Sequence, residues 1–193
     1  MKPNAPTQLP YASEGYVTER QQARIPELLK EYAPHAKRIM EIGFNAGHSA
    51  DLFLRTNPDA QVVSFDIGMH NYVRQGKDYI DAKYPGRHTL VLGDSTQSVP
   101  EYKTDEPFDV IFIDGGHSYD VASADVANCK RLAHANTLVI MDDTIRQRLE
   151  WVRHFNVGPN KAWLDAIEAQ EVEDLGFVDL TKGRGMSWGR YRL

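Results

Sequence analysis

The stretch RIMEIGFNAGHSADLFLR, residues 38–55, places a short apolar strand, a turn and a helix in succession. Arg38–Ile42 has the composition of a buried strand, and residues 49 to about 55 form the helix. The turn between them contains Gly43 and Gly47, which let the backbone bend sharply. Because parallel strands need a long crossover between them, this order predicts one unit of an α/β sheet.

The same alternation continues along the chain. Further strands are predicted at 61–65, 88–92, 108–113 and 137–141, with helices at 70–84, 96–102 and 119–133. A helix from 162 to about 173 follows, and then two strands at 176–180 and 186–191 around a short glycine-rich link. The sequence therefore predicts an α/β fold, a doubly wound and mostly parallel seven-stranded sheet with a C-terminal antiparallel hairpin.

Two segments fall outside this alternation. Residues 1–19 hold three prolines and are predicted to be an N-terminal arm, which leaves 20–193 as a single domain. Pro26 is tolerated only in the first turn of a helix, so the first helix is expected to begin near residue 24 or 25. Segment 145–161 has no clear period and is expected to be a loop with one helical turn at most.

Composition and charge narrow the classes of function. The 193 residues are 41% hydrophobic and 25% charged, as in a globular domain, and the net charge is −5. A negative chain is a poor partner for nucleic acid, and no apolar run reaches the roughly 20 residues of a membrane helix. The single cysteine, Cys129, excludes an internal disulfide. We expect a cytoplasmic protein that binds neither nucleic acid nor membrane, and a homo-oligomer stays open.

Acidic side chains stand at or beside the ends of all five predicted parallel strands: Glu41, Asp66, Asp94, Asp114 and Asp142. Ligands of open α/β sheets bind outside these strand ends, so the acids indicate a binding site. A single acid in such a place can instead cap the next helix, and for Asp94 that alternative stays open.

The turn at 41–47 excludes two nucleotide-binding motifs. Asn45 stands where a G-x-G-x-x-G fingerprint needs its second glycine, which disfavours a nicotinamide dehydrogenase, and no lysine follows as in a P-loop. Asp66 is placed to accept both hydroxyls of a ribose. Asp94 or its neighbour Ser95 can meet an adenine amine.

On these residues the sequence resembles the class I S-adenosylmethionine-dependent methyltransferases, over about residues 20–193. The resemblance is carried by EIGFNAG at 41–47, SFD at 64–66, LGDS at 92–95 and the acids after the fifth strand. It implies the Rossmann-like methyltransferase fold and S-adenosylmethionine as cofactor, with the glycine loop at its methionine part. The cofactor-binding residues expected from it are Glu41, Gly43, Phe44, Asn45, Gly47, Ser49, Asp66, Asp94, Ser95 and Asp114.

Asp114, Asp142 and Asp143 follow two strands that are expected to be neighbours. Their carboxylates would converge, and because three such charges repel one another, a cation is needed. Oxygen ligands suit Mg²⁺, with Mn²⁺ or Ca²⁺ as other choices. In the alternative interpretation, Asp142 and Asp143 cap the next segment and Asp114 only borders the cofactor.

The same constellation resembles the metal-dependent small-molecule O-methyltransferases, both the catechol type and the sugar-hydroxyl enzymes of antibiotic biosynthesis. The resemblance implies Asp114, Asp142 and Asp143 as metal ligands and His117 as the catalytic general base. The catechol type has an asparagine at the position of Asp143 and a lysine as base, so Asp143 and His117 favour the sugar-hydroxyl branch. We expect methyl transfer from S-adenosylmethionine to a hydroxyl of a small molecule, with Mg²⁺.

Two other functions stay open. One is a metal-free methyltransferase that acts on nitrogen or a carboxylate, and the other is a module that binds S-adenosylmethionine or a nucleotide without turnover. Among the remaining residues, His48 is expected to be a surface or packing residue, and Trp151 lies in the segment best placed to cover the acceptor. Tyr11, Tyr16 and Arg20 are expected to close over the site.

Overall fold

The computed structural model describes residues 18–193. The strands are β1 (Arg38–Ile42), β2 (Gln61–Asp66), β3 (His88–Leu92), β4 (Phe108–Ile113), β5 (Ala133–Asp142), β6 (Val172–Thr181) and β7 (Arg184–Tyr191). The α-helices are α1 (Glu19–Tyr32), α2 (His48–Thr56), α3 (Tyr72–Lys83), α4 (Ser95–Glu101), α5 (Tyr119–Cys129) and α6 (Val157–Glu168). Short 3₁₀ helices cover Lys130–Leu132, Leu149–Trp151 and His154–Asn156.

These strands form one seven-stranded sheet in the order β3-β2-β1-β4-β5-β7-β6. Strands β1 to β5 are parallel, and β7 lies antiparallel between β5 and β6. The predicted parallel sheet with a C-terminal antiparallel hairpin is therefore confirmed. Within residues 18–193 no helix is long and apolar enough to cross a membrane.

Successive residues of the central strands point into two different cores. Ile39 of β1 and Phe112 of β4 belong to the core under α1, α2 and α3, whereas Met40 and Ile113 belong to the core under α4, α5 and α6. Because side chains alternate along a strand, a continuous apolar run serves both faces of the sheet. This is the physical basis of the doubly wound arrangement.

The strand order reverses between β1 and β4, and this reversal opens the crevice in which ligands of such sheets bind. The turns after the two strands are held together by the backbone, since the Asp114 N–H donates to the Ile42 carbonyl at 2.9 Å. On the other side of β1, the Gly43 N–H donates to the Phe65 carbonyl at 2.8 Å. Backbone hydrogen bonds therefore fix both turns at this edge of the sheet.

The start expected for α1 is wrong. The helix begins at Glu19, because Thr18 and Gln21 form a capping box that satisfies its first N–H groups. Pro26 lies inside the helix, which continues because Ile25 and Leu28 are fully buried in the core. The predicted arm lies outside the described residues up to residue 17, Tyr11 and Tyr16 included.

Several other boundaries differ from the prediction. Helix α6 begins at Val157, five residues early, since Pro159 falls in its first turn, where a missing N–H costs nothing. Helix α5 ends at Cys129, and β5 starts at Ala133, four residues early. Segment 145–161 holds two 3₁₀ turns and the start of α6 instead of a loop. The hairpin strands are longer than predicted, because their outer residues pair with each other more than with the sheet.

Candidate functional site

A cavity of about 440 Å³ opens at the carboxyl ends of the parallel strands. Its volume lies within the range usual for small-molecule sites. The structure brings most of the predicted site residues to its wall: Gly43, Phe44, Asn45, Ser49, Asp66, Asp94, Ser95, Asp114, His117, Asp142 and Asp143. Glu41 and Gly47 are not among the lining residues, whereas His48, expected to be a surface or packing residue, is one of them.

The glycine turn is shaped by close backbone packing. Gly43 has φ +94°, and a Cβ there would lie 1.9 Å from the backbone oxygen of Asp114. Only glycine meets both conditions. Gly47 has φ +84°, and a Cβ there would press on the Phe44 ring at 3.0 Å. Gly47 therefore supports the turn from behind, which explains why it does not line the cavity.

Glu41 lies beneath this turn, fully buried. The Ser64 hydroxyl donates to Glu41 Oε1 at 2.5 Å and lies 2.8 Å from His88 Nε2. Burial raises the pKa of Glu41 to about 7, and hydrogen bonds from Ser49 and Ser64 oppose that rise. Burial, with the charge of Lys77, lowers the pKa of His88 to about 4. Glu41 therefore lies behind the site, hydrogen-bonded to Ser64 of β2 and Ser49 of α2, and does not line the cavity.

Asp66 is fixed at the cavity wall by two backbone donors. Its Oδ2 accepts from the Asn45 N–H and its Oδ1 from the Gly68 N–H, both at 2.7 Å. Each carboxylate oxygen keeps lone pairs for a ligand. Asn45 Oδ1 is buried and has no hydrogen-bond partner among residues 18–193. A ligand with donor groups would satisfy this atom.

Asp94 combines the two roles that its sequence position left open. Its carboxylate caps α4 by accepting from the Thr96 N–H at 2.9 Å, and it also lines the cavity. Hydrogen bonds from the Thr96 hydroxyl and backbone hold the pKa of Asp94 below its ordinary value. The side chain is therefore an ionised acceptor at the wall formed by the end of β3.

Asp114, His117 and Asp143 converge after β4 and β5. One potential ligand atom from each lies within 4.8 Å of the other two. His117 Nε2 is 3.0 Å from Asp143 Oδ2, and Arg184 donates to Asp143 Oδ1 at 3.1 Å. Burial, followed by repulsion from Asp142 and Asp143, raises the pKa of Asp114 well above its ordinary value.

The main chain holds Asp143 in an unusual conformation. Its φ is +55°, a region that residues other than glycine seldom adopt. The Asn156 amide donates to the Asp143 carbonyl at 2.6 Å and to the Gly183 carbonyl at 3.2 Å. Asn156 therefore joins the end of β5 to the tip of the hairpin and keeps the Asp143 carboxylate turned toward His117.

Asp142 is placed differently from its neighbour. It is outside the set formed by Asp114, His117 and Asp143, and the Gln21 amide donates to both of its oxygens at 2.9 and 2.7 Å. Burial and the charge of Asp143 raise its pKa to about 7. The structure thus brings Asp114 and Asp143 together with His117 and leaves Asp142 beside them.

The segment before α6 packs against the His117 loop. A Cβ at Gly158 would lie 2.2 Å from the His117 carbonyl oxygen, so the start of α6 rests on the backbone of the His117 loop. The Phe155 ring lies 5.6 Å from the His117 ring, centre to centre. Phe155, rather than Trp151, is therefore the aromatic neighbour of the cluster. Arg20 does not line the cavity and bonds to the Leu180 carbonyl.

Several residues in or beside the site were not predicted from the sequence, and four of them bear on its charges or geometry. Gln21 and Arg184 reach the carboxylates from α1 and β7, and Asn156 holds Asp143 from the segment before α6. Asp125 of α5 is fully buried, and burial raises its pKa to about 6. A charged residue on the core face of a predicted helix was the one signal that could have drawn attention to Asp125.

Comparisons with known proteins place the chain in a family. The sequence model of the family described as "Methyltransferase domain" matches residues 40–144, more than half of the chain. The search of curated proteins returned no significant match.

Solved structures with this fold include three that hold a cofactor. Cofactor-bound Rv0187 from MTB is 21% identical, with 93% of this chain and 83% of that chain covered and a TM-score of 0.75. The O-methyltransferase from Bacillus cereus in complex with SAH is 21% identical, with 91% and 82% covered and a TM-score of 0.71. TomG from Streptomyces achromogenes, an O-methyltransferase of tomaymycin synthesis in complex with SAM, is 17% identical, with 91% and 81% covered and a TM-score of 0.72. The chain belongs to the methyltransferase-domain family and is a class I S-adenosylmethionine-dependent methyltransferase.

Proposed function

We propose that the protein transfers a methyl group from S-adenosylmethionine to a hydroxyl of a small molecule, with a divalent cation such as Mg²⁺ at the acceptor side. The convergence of Asp114, His117 and Asp143 beside the glycine-turn cavity carries this proposal. The structures from Bacillus cereus and Streptomyces achromogenes, which share the fold, are O-methyltransferases by name. A homo-oligomer and a cytoplasmic location stay predictions.

The cavity suits the cofactor. S-adenosylmethionine supplies a methyl group on a positive sulfonium, and the acids at the strand ends attract that charge. Asp66 keeps acceptor capacity for ribose hydroxyls, and Asp94 with Ser95 forms the wall for adenine. Asn45 lies on the turn proposed to hold the methionine part, and its unsatisfied Oδ1 is an acceptor that an ammonium group would satisfy.

The carboxylate cluster suits a divalent cation. Burial, followed by repulsion among Asp114, Asp142 and Asp143, raises the pKa values of Asp114 and Asp142. A cation removes that repulsion, and the carboxylate oxygens of this cluster are donors that Mg²⁺ or Mn²⁺ accepts. When bound, the cation would hold two acceptor oxygens and lower the pKa of one hydroxyl.

His117 is proposed to take the proton from the acceptor hydroxyl. An ionised carboxylate can only accept a hydrogen bond, so His117 Nε2 carries the hydrogen that faces Asp143. Nδ1 is then the nitrogen that accepts the proton, and Asp143 stabilises the imidazolium that forms. Phe155 beside the imidazole limits its rotation and keeps it at the cluster.

A metal-free methyltransferase is the second candidate, and one contact favours it. Arg184 already brings a positive charge to Asp143, which partly neutralises the cluster. Such an enzyme would need no cation to position its acceptor.

The test is methyl transfer by the purified full chain with methyl-labelled S-adenosylmethionine. Acceptors with vicinal hydroxyls, an amine or a carboxylate are compared in Mg²⁺ and in excess chelator. We expect labelled product with a diol only, and its loss in chelator. Asp143→Asn should lose the Mg²⁺-dependent rate, whereas Asp120→Asn, an exposed acid on α5, should keep it. Full turnover in chelator would support the metal-free candidate instead.

A further inference from the structure

We propose that Arg184 is the built-in counter-cation of the carboxylate cluster and weakens its affinity for a divalent cation, so that the ion is exchangeable rather than permanently held. This inference rests on the metal-assisted function proposed above. Arg184 belongs to the C-terminal hairpin and reaches the site from the start of β7.

The strand register brings Arg184 to the cluster. Asp142 pairs with Met186 in the antiparallel ladder of β5 and β7, so Arg184 stands just beyond, opposite Thr144. The Thr144 N–H donates to the Gly185 carbonyl at 3.1 Å, which continues the pairing past the end of β5. The position of the guanidinium is therefore fixed by backbone pairing and not by a flexible surface loop.

Packing holds the side chain in place. The Arg184 guanidinium carbon lies 5.7 Å from the centre of the Phe155 ring. The hairpin tip beside it is anchored by Asn156, which donates to the Gly183 carbonyl. Arg184 is also the only lysine or arginine that lines the cavity within residues 18–193.

The charges around Arg184 then determine what the cluster can bind. Asp114, Asp142 and Asp143 carry three negative charges when ionised, and the guanidinium removes one. One divalent cation neutralises what remains. Arg184 also occupies Asp143 Oδ1, and the Gln21 amide occupies both oxygens of Asp142. The carboxylate oxygens left for an ion are those of Asp114 and Asp143 Oδ2.

A positive charge so near a divalent cation opposes its binding. Without Arg184, Asp143 could offer both oxygens and the cluster would be more negative, so the ion would bind more tightly. We infer that the ion is bound weakly in the free enzyme. Acceptor oxygens would then complete its coordination.

The experiment measures Mn²⁺ and Mg²⁺ binding to the full chain by calorimetry, without turnover. Arg184→Gln should lower the dissociation constant about tenfold, the size expected for removing one unit charge near a divalent ion in a screened site. Arg184→Lys should stay near the wild-type value because it keeps the charge. Arg148→Gln removes an exposed charge that is not at the cavity and should also leave the value unchanged.

The outcomes separate this inference from the function on which it rests. If the wild type binds the ion and Arg184→Gln binds it equally or more weakly, the counter-cation role is overturned and the metal-assisted function stands. If neither protein binds an ion, both fall. Should Arg184→Gln fail to fold by circular dichroism, Arg184→Met keeps the apolar stem against Phe155 and carries the same expectation.

Discussion

The Gln21 amide nitrogen donates to both carboxylate oxygens of Asp142, 121 positions further along the chain, at 2.9 and 2.7 Å. The oxygen of the same amide accepts from the Thr18 N–H at 2.9 Å. Both ends of the amide are thus used, one for capping α1 and one for the site. The first turn of α1 and the end of β5 are therefore coupled through a single buried side chain.

Replacing Gln21 by leucine should destabilise the fold. The buried Asp142 loses both donors, and a hydrogen bond to a charged group contributes about 1.5–3 kcal/mol. We expect a loss of this size in the free energy of unfolding, measured by urea denaturation. Gln75→Leu, at an exposed position on α3, is the matched control and should change stability by less than about 0.5 kcal/mol. Equal effects of the two substitutions would contradict the coupling.

Two glycines with positive φ allow backbone strain to be separated from a steric clash. A Cβ at Gly86, with φ +72°, meets nothing within 4 Å, whereas one at Gly43 overlaps the Asp114 carbonyl. Gly86→Ala should therefore cost only about 1–2 kcal/mol for the left-handed backbone. Gly43→Ala should lower the free energy of unfolding by more than this. It should also abolish binding of S-adenosylhomocysteine, which calorimetry measures. Normal binding by Gly43→Ala would show that the turn can move away from β4.

His117→Ala should lower kcat by about 10²–10⁴, the usual contribution of a general base. The dissociation constant of S-adenosylhomocysteine should stay unchanged, because His117 is proposed to act on the acceptor. His154→Ala is the control, since His154 is exposed and its ring stacks edge-on against Phe155 without contacting Asp143. A steady-state assay of both variants tests this, and an unchanged kcat in His117→Ala would remove the base from the proposal.

The buried Asp125 should make stability depend on pH. Its pKa rises from 3.8 to about 6 on folding, so the folded state holds the proton more tightly than the unfolded chain. Stability is then lost as pH rises through this range, by up to about 3 kcal/mol for a shift of this size. Asp125→Asn lacks that loss, so its free energy of unfolding should rise relative to the wild type between pH 4 and pH 7.

Urea titrations at several pH values give this difference directly. Glu41 and His88 titrate in both proteins, so subtracting the two curves isolates Asp125. Asp105→Asn, an exposed acid, should show a flat difference. A pH-independent difference for Asp125→Asn would mean that its carboxyl is not held protonated.

Local pattern was enough to predict the sheet. Strands β1, β3 and β4 have the predicted bounds, because each is a short apolar run between polar turns. The start of α1 differs because the prediction rested on Pro26 alone, whereas the capping box of Thr18 and Gln21 sets where the helix begins. The start of α6 was missed because glycine and proline at 158 and 159 suggested a loop, while tertiary packing made them part of a first turn.

The site was predictable only where its residues follow strands. Asp66, Asp114 and Asp143 line the cavity as expected, because parallel strand ends share one edge of the sheet. Gln21 and Arg184 have no local signature, since pairing and helix packing over long sequence distances bring them to the carboxylates. Glu41 resembles a ligand contact in sequence, but the fold buries it below the turn.

The backbone contact between Gly158 and the His117 loop limits how the acceptor preference can be re-engineered. A grafted or lengthened loop before α6 would shift Gly158. Through this contact it would also displace the backbone of the His117 loop and, with it, the imidazole. Exchange of exposed side chains of this segment, such as those of Leu149 or Arg153, leaves the main chain and that contact in place. Diversification among enzymes with this contact should therefore proceed by substitution and not by insertion.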